Sequence, residues 1–158
     1  MTTDHEQFMR VALQEAEAGR AAGNMAVGAV IVRDGQILVR GHNEANSTFD
    51  VTAHAETVAV RRLSTSLRVL NPGMKANSGP LAGCTLYTTV EPCPMCAWAI
   101  CVGGISALVI GVRFSDMGVG YGEYAIEKLL ALTAQRLPVT SGILKDECAA
   151  FRHGGQRP

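Results

Sequence analysis

Two short stretches, His54-Ala55-Glu56 and Pro92-Cys93-Pro94-Met95-Cys96, constrain this chain more than any other feature, because their side chains make chemical sense only if the fold brings both to one point. His54, Cys93 and Cys96 offer one imidazole and two thiolates to a single zinc ion, and the two residues between the cysteines let both sulfurs meet it. A structural zinc usually takes four protein ligands, whereas a catalytic zinc takes three and keeps one position for water. Glu56 lies two residues beyond His54 and can reach toward that water without being a ligand, accepting a proton and returning it to a leaving group. Alone, the Cys-x-x-Cys also fits a redox pair, half of a structural zinc site, or chance. A structural site needs a fourth ligand, and His42, His5, His153 and the other cysteines are the candidates, none at paired-ligand spacing. A non-catalytic, zinc-stabilised binding protein is the alternative of a different class. The carboxylate of Glu56 beside an open metal position speaks against it.

Composition narrows the setting. A length of 158 residues with 47% hydrophobic residues fills one continuous core, so one domain is expected over 1–158, with 152–158 a flexible tail. Basic and acidic residues number 14 each, so no net positive field gathers phosphate, and nucleic acid is not indicated as a partner beyond a local basic patch. The first turns carry Asp4, Glu6 and Arg10 rather than a signal-like apolar run, and no stretch approaches the roughly 18 apolar residues of a membrane span. The expectation is a soluble, cytoplasmic protein with no membrane partner. Five cysteines, two of them in the motif, suit metal binding in a reducing compartment better than a disulfide framework. Cys84, Cys101 and Cys148 are read as buried apolar fillers.

Along the chain, Thr3 and Glu6 have capping-box spacing, and Met9, Ala12, Leu13 and Ala16 follow at helical intervals, predicting an amphipathic helix that ends near Gly19 to Gly23. Val27–Val32 and Gln36–Arg40 flank Asp34-Gly35, the pattern of a β-hairpin. A polar loop runs to Asp50, and Thr52 is positioned to cap a helix that holds His54 and Glu56 in its first turn and runs to about Leu67. The turn formers at 71–80 mark an exposed loop. Cys84–Val90 is a strand, Pro94–Cys101 a helix that tolerates proline in its first turn, and Ala107–Val112 a strand. Phe114–Gly122 is glycine-rich and irregular, Glu123–Ala134 helical, Pro138–Leu144 a strand and Lys145–Phe151 a last helix. This order predicts an α/β fold of three layers, with a central mixed five-stranded sheet, helices on both faces, and later strands aligned in parallel by right-handed crossovers. Both chemical motifs then fall at helix N-termini, whose partial positive charge favours thiolate over thiol.

His-x-Glu followed by Pro-Cys-x-x-Cys is the signature of zinc nucleobase deaminases. From its first helix to about Phe151 the chain resembles the cytidine deaminase-like superfamily. Asn43, His54-Ala55-Glu56 and Glu91-Pro92-Cys93-Pro94-Met95-Cys96 are most similar to the branch of guanine, cytosine and tRNA adenosine deaminases. The resemblance implies a hydrolytic deamination with zinc as cofactor. Water replaces an exocyclic amine, Glu56 shuttles the protons, and ammonia leaves. It also implies that Asn43 and the backbone N–H of Ala55 contact the base, and that the protein forms a homodimer or larger homo-oligomer, with Trp98, Val102 and the Gly118–Tyr124 loop as candidate contacts. Trp98 departs from the small residue that the family tends to have there.

Asp116 is the residue expected to choose the base. By resemblance it stands where guanine deaminases place an aspartate, and a carboxylate, being an acceptor only, matches the N–H and NH₂ edge of guanine. Its bland alternative is a solvated loop aspartate. Phe49 and Phe114 offer rings that could stack on a base, or are core residues. The rival is a tRNA adenosine deaminase, which Gly142-Ile143-Leu144 and Asp146-Glu147-Cys148-Ala149-Ala150 resemble. Only 5% aromatic residues and no net positive charge count against an RNA stem-loop, as does the ending Phe151-Arg152-His153, where those enzymes are more basic. The expectation is therefore a free nucleobase or related aminated heterocycle, guanine first, ahead of adenosine in tRNA and of cytosine.

Overall fold

β-Branched and apolar runs pair into one five-stranded layer in the computed structural model, which describes residues 4–153. β1 (Gly28–Arg33) turns at Asp34-Gly35 into β2 (Gln36–His42). Both turn residues have positive φ, 51° and 73°, which matches a two-residue hairpin to the twist of its strands. β3 (Thr85–Val90), β4 (Ala107–Val112) and β5 (Val139–Ser141) complete the order β2-β1-β3-β4-β5. β1 is antiparallel to β2 and β3, whereas β3, β4 and β5 are parallel, as crossover connections dictate.

Helices cover both faces. α1 (Asp4–Ala21) and α6 (Lys145–His153) touch each other on one side, and α3 (Ala55–Leu70) and α4 (Pro94–Gly103) touch on the other, with α5 (Ile126–Leu130) against α4. The apolar stripe of α1 is buried at Met9, Ala12, Leu13 and Ala16, as its spacing predicts. Thr3, the other half of the expected capping box, lies outside the described residues. Cys84, Cys101 and Cys148 are buried in the core. Two glycines set the depth at which helices seat. A Cβ on Gly28 would lie 1.9 Å from the Ala12 carbonyl of α1, and one on Gly41 would lie 2.8 Å from the Ala55 carbonyl and 2.9 Å from the Ala59 nitrogen of α3. Only a residue without a side chain lets β2 approach the first turn of α3 so closely.

Four elements differ from expectation. The polar loop after β2 contains a helical turn, α2 (Ala45–Thr48), because Asn24 Oδ1 accepts the N–H groups of Asn46 and Ser47, both at 3.0 Å, and Asn43 Oδ1 accepts that of Ala45 at 3.1 Å. The cap of α3 is His54 rather than Thr52, whose hydroxyl and N–H are both taken by Asp50. α5 is shorter than the expected Glu123–Ala134. Its start is fixed where the Glu91 carboxylate captures the Ile126 N–H at 3.1 Å, and the Thr133 hydroxyl donates to the Leu130 carbonyl at 2.8 Å to close its end. β5 stops at Ser141 because Gly142 and Leu144 adopt positive φ, 89° and 52°, which turns the chain out of the ladder. Among the described residues no helix is long and apolar enough to cross a membrane.

Candidate active site

α3 and α4 both begin beside the sheet with their first turns facing each other. His54 is the N-cap of α3 and Cys93 the N-cap of α4, with Pro94 in the first turn, where a missing N–H costs nothing. Neither side chain makes a cap hydrogen bond to its own helix, which leaves the imidazole and the thiol free to meet. His54 Nδ1 lies 3.5 Å from Cys93 Sγ and 3.6 Å from Cys96 Sγ, and the two sulfurs are 3.6 Å apart. Zinc–sulfur bonds near 2.3 Å and zinc–nitrogen bonds near 2.0 Å make the edges of a tetrahedron about 3.5 to 3.8 Å long. The three atoms therefore form one face of a zinc tetrahedron. The ligand chemistry agrees, since thiolate and imidazole are the donors zinc prefers.

No fourth protein ligand is available among the described residues. His5 Nδ1 pairs with the Tyr87 hydroxyl at 2.9 Å, His42 Nδ1 pairs with Glu15 at 3.0 Å, and Cys84, Cys101 and Cys148 lie outside the cluster. The His153 side chain is outside the described set. Three ligands and an open position match a catalytic rather than a structural zinc.

Electrostatics at the cluster follow from crowding. The neighbouring Cys96 thiol, which bonds to it, holds the Cys93 thiol down at about 4, with His54 assisting. Cys96 is pushed up because its proton is shared with Cys93 and because it is buried. The Cys93 contact raises His54. Glu56, 4% exposed in the first turn of α3, is raised chiefly by burial. Its Oε1 accepts the Thr88 hydroxyl of β3 at 3.0 Å.

A pocket opens over the cluster, lined by Asn43, Ala55, Glu56 and Phe114 among others. Of the expected base contacts, the structure brings Asn43, Ala55 and Phe114 here. Asn43 is buried, and its Oδ1 is spent on the Ala45 N–H, so the donor end of its amide is what remains for the pocket. The Ala55 N–H, in the opening turn of α3, has no intrahelical acceptor. Asp116 and Phe49 are elsewhere. Asp116 sits in a 3-10 turn (Ser115–Met117), where Lys145 Nζ lies 2.8 Å from Oδ1 and the Arg113 N–H donates to Oδ2 at 3.3 Å, so its carboxylate is turned to α6 instead of the pocket. Phe49 is 99% exposed at the end of α2. Its backbone takes a left-handed φ of 53°, and its side chain is not among those lining the pocket.

Five residues contribute in ways that a reading of motifs does not assign. Met25, Tyr121 and Arg152 also line the pocket. Tyr121 stands edge-on to Phe114 with ring centroids 5.1 Å apart. Glu91, 5% exposed, accepts the Phe114 N–H at 3.0 Å, the Ile126 N–H at 3.1 Å and Arg113 Nη1 at 3.3 Å. Tyr124 donates to the Pro92 carbonyl at 2.7 Å, steadying the approach to Cys93. Met25, Glu91, Tyr121 and Tyr124 come from loops, and Arg152 from the last turns of α6, so their meeting at the pocket depends on tertiary contacts. The position of Glu91 beside Pro92-Cys93 was the one local hint.

The family of the cytidine and deoxycytidylate deaminase zinc-binding region matches residues 2–112. Curated relatives include a chloroplastic tRNA(adenine(34)) deaminase of Arabidopsis thaliana, 38% identical over 93% of this chain, which spans 12% of that longer protein. The tRNA-specific adenosine deaminase of Aquifex aeolicus is 38% identical over 66% of this chain and 63% of its own length. That of Bacillus subtilis is 32% identical over 94% of this chain and 86% of its own length. Among solved structures, one from work on A-to-I editing by tRNA:A34 deaminases superposes with a TM-score of 0.76 at 33% identity, covering 92% of this chain and 98% of the other. A guanine deaminase from Nitrosomonas europaea superposes at 0.75 with 26% identity, covering 94% and 82%. With the His54, Cys93 and Cys96 face in place, the chain belongs to the cytidine and deoxycytidylate deaminase zinc-binding family.

Proposed function

We propose that this chain deaminates adenosine in transfer RNA to inosine, rather than a free guanine. The observation that carries the proposal is the polarity left in the pocket. Asn43 offers an NH₂ group and Ala55 an N–H, both donors, which suit the ring-nitrogen acceptors of adenine. Guanine shares such ring-nitrogen acceptors but also presents N–H and NH₂, which need an acceptor. The Asp116 carboxylate is engaged by Lys145, and that of Glu91 by two backbone N–H groups and Arg113. Tyr121 and Arg152 add an aromatic ring and a cation to the lining, which support binding of a base within a phosphate-bearing chain. The relatives named for tRNA point the same way.

Held by His54, Cys93 and Cys96, zinc supplies a water that is nucleophilic near neutral pH. Asn43, Ala55 and Phe114 orient the base. Glu56 accepts the proton released by the water and delivers it to the departing amine. Adenosine and water give inosine and ammonia. A homodimer belongs to the same proposal, with a second copy covering Trp98 and Val102, which are 51% and 45% exposed on α4.

The test is ammonia release by zinc-loaded protein from an anticodon stem-loop, free adenosine, guanine, cytosine and cytidine. The expected result is a kcat/KM for the stem-loop far above the rest. Preferred turnover of guanine would support the second reading, which the superposition on guanine deaminase favours. Glu56→Gln is expected to keep zinc and lose about 100-fold or more in rate.

A further inference from the structure

Thr88 is a polar residue at a fully buried position in the middle of β3, on the face that carries Leu86 and Val90 toward α3. An apolar β-branched residue would fill that place without having to satisfy a hydroxyl, and a buried hydroxyl left unpaired is destabilising. Here the hydroxyl has two partners, Glu56 Oε1 at 3.0 Å and the Val90 carbonyl at 3.0 Å. It carries a single proton and two lone pairs, so it can donate to either. With its proton turned to Val90 it still presents a lone pair to Glu56, and it stays bonded whether the carboxyl group offers a lone pair or a proton.

We propose that Thr88 is a positioning residue for the reaction: by holding Oε1 of Glu56 from the floor of the sheet, it fixes the rotamer that presents Oε2 to the pocket. Glu56 must face two partners in turn, the water and the leaving amine, and a carboxyl group free to rotate would spend part of its time out of reach of both. Proton transfer demands heavy-atom approaches of about 2.6 to 3.2 Å, a tolerance that a side chain keeps only when its rotamer is locked by its neighbours. β3 is a central strand, paired to β1 and β4, and so it is a rigid anchor for that lock. The contact crosses from the sheet to α3 and couples the acid/base to the layer that also leads into Cys93.

The proposal rests on the role of Glu56 stated above and is independent of which base is deaminated. Kinetics are measured on whichever substrate the wild type turns over best, with Glu56→Gln as reference. Thr88→Val keeps shape and removes the hydroxyl, and it is expected to lower kcat about tenfold with KM within twofold and zinc content unchanged. Thr88→Ser is expected to recover most of the lost kcat. Thr88→Ser against Thr88→Ala repeats the comparison of hydroxyl with none should the valine variant fold poorly. The Glu56 carboxyl stretch, isolated in the infrared difference between wild type and Glu56→Gln, is expected to shift in Thr88→Val. Unchanged kcat in Thr88→Val, a serine variant as slow as the valine or alanine one, or a loss of kcat that tracks zinc loss would each overturn the proposal. Wild-type activity in Glu56→Gln would instead remove the reading beneath it.

Discussion

The Glu91 carboxylate accepts the Phe114 N–H at 3.0 Å, tying the exit of β3 to the exit of β4 at the point where the pocket wall begins. The same group takes the Ile126 N–H and Arg113, which is also forked onto Glu127 at 2.9 and 2.6 Å. Three connections that differ in length and chemistry thus converge on one buried charge.

Removing that charge strands two backbone donors while Arg113 keeps Glu127. Glu91→Ala is therefore expected to destabilise the protein by about 3 kcal/mol, read from the denaturant midpoint at constant slope. A change within a few tenths of that unit would mean that water replaces the carboxylate without loss.

Gly41→Ala tests how the metal ligands are seated. The new Cβ meets backbone atoms of Ala55 and Ala59, which cannot swing aside as a side-chain end can, so the first turn of α3 must shift. The expected cost is on the order of 1 to 3 kcal/mol, with weaker zinc binding because His54 moves with that turn. Unaltered zinc affinity by competition with a chromogenic chelator would show that the cap tolerates the shift.

Zinc removal should be felt globally. An ion that binds the folded chain at about 1,000 times its Kd adds about 4 kcal/mol, and for a chain of this size chelation should lower Tm by on the order of 10 °C. Differential scanning calorimetry with and without chelator reads this directly. Cys96→Ser should show little further response to chelator.

Asp116→Asn separates a surface ion pair from a substrate contact. The bond from Lys145 holds the Asp116 carboxyl below its ordinary 3.8. A depressed folded value means a stabilising contribution that is present above the ordinary value and lost as pH falls through the lowered one. Wild type should be slightly more stable than the variant at neutral pH, and the difference should vanish in strong acid. Deamination kinetics should not change, because the carboxylate points away from the pocket.

Local chemistry made much of this legible in advance. The hairpin could be read from Asp34-Gly35, α1 from its apolar spacing, and the zinc face from two motifs, because each depends on residues close in sequence. What escaped depends on distant partners. α5 ends where Thr133 turns back, Asp116 is diverted by Lys145 from α6, and Glu91 acts on residues far along the chain. The expected preference for guanine rested on the Asp116 carboxylate, whose direction only tertiary structure sets, and on a composition poor in aromatic and net positive groups. Neutral net charge likewise does not reveal that Arg152 is brought to the pocket.

The most direct test places an anticodon stem-loop carrying one target adenosine and an equal concentration of guanine in one vessel with zinc-loaded protein, and reads inosine and xanthine by mass spectrometry. Inosine at the target adenosine, abolished in Glu56→Gln, with guanine left intact is the predicted result. Xanthine accumulating while the RNA stays unmodified would contradict it.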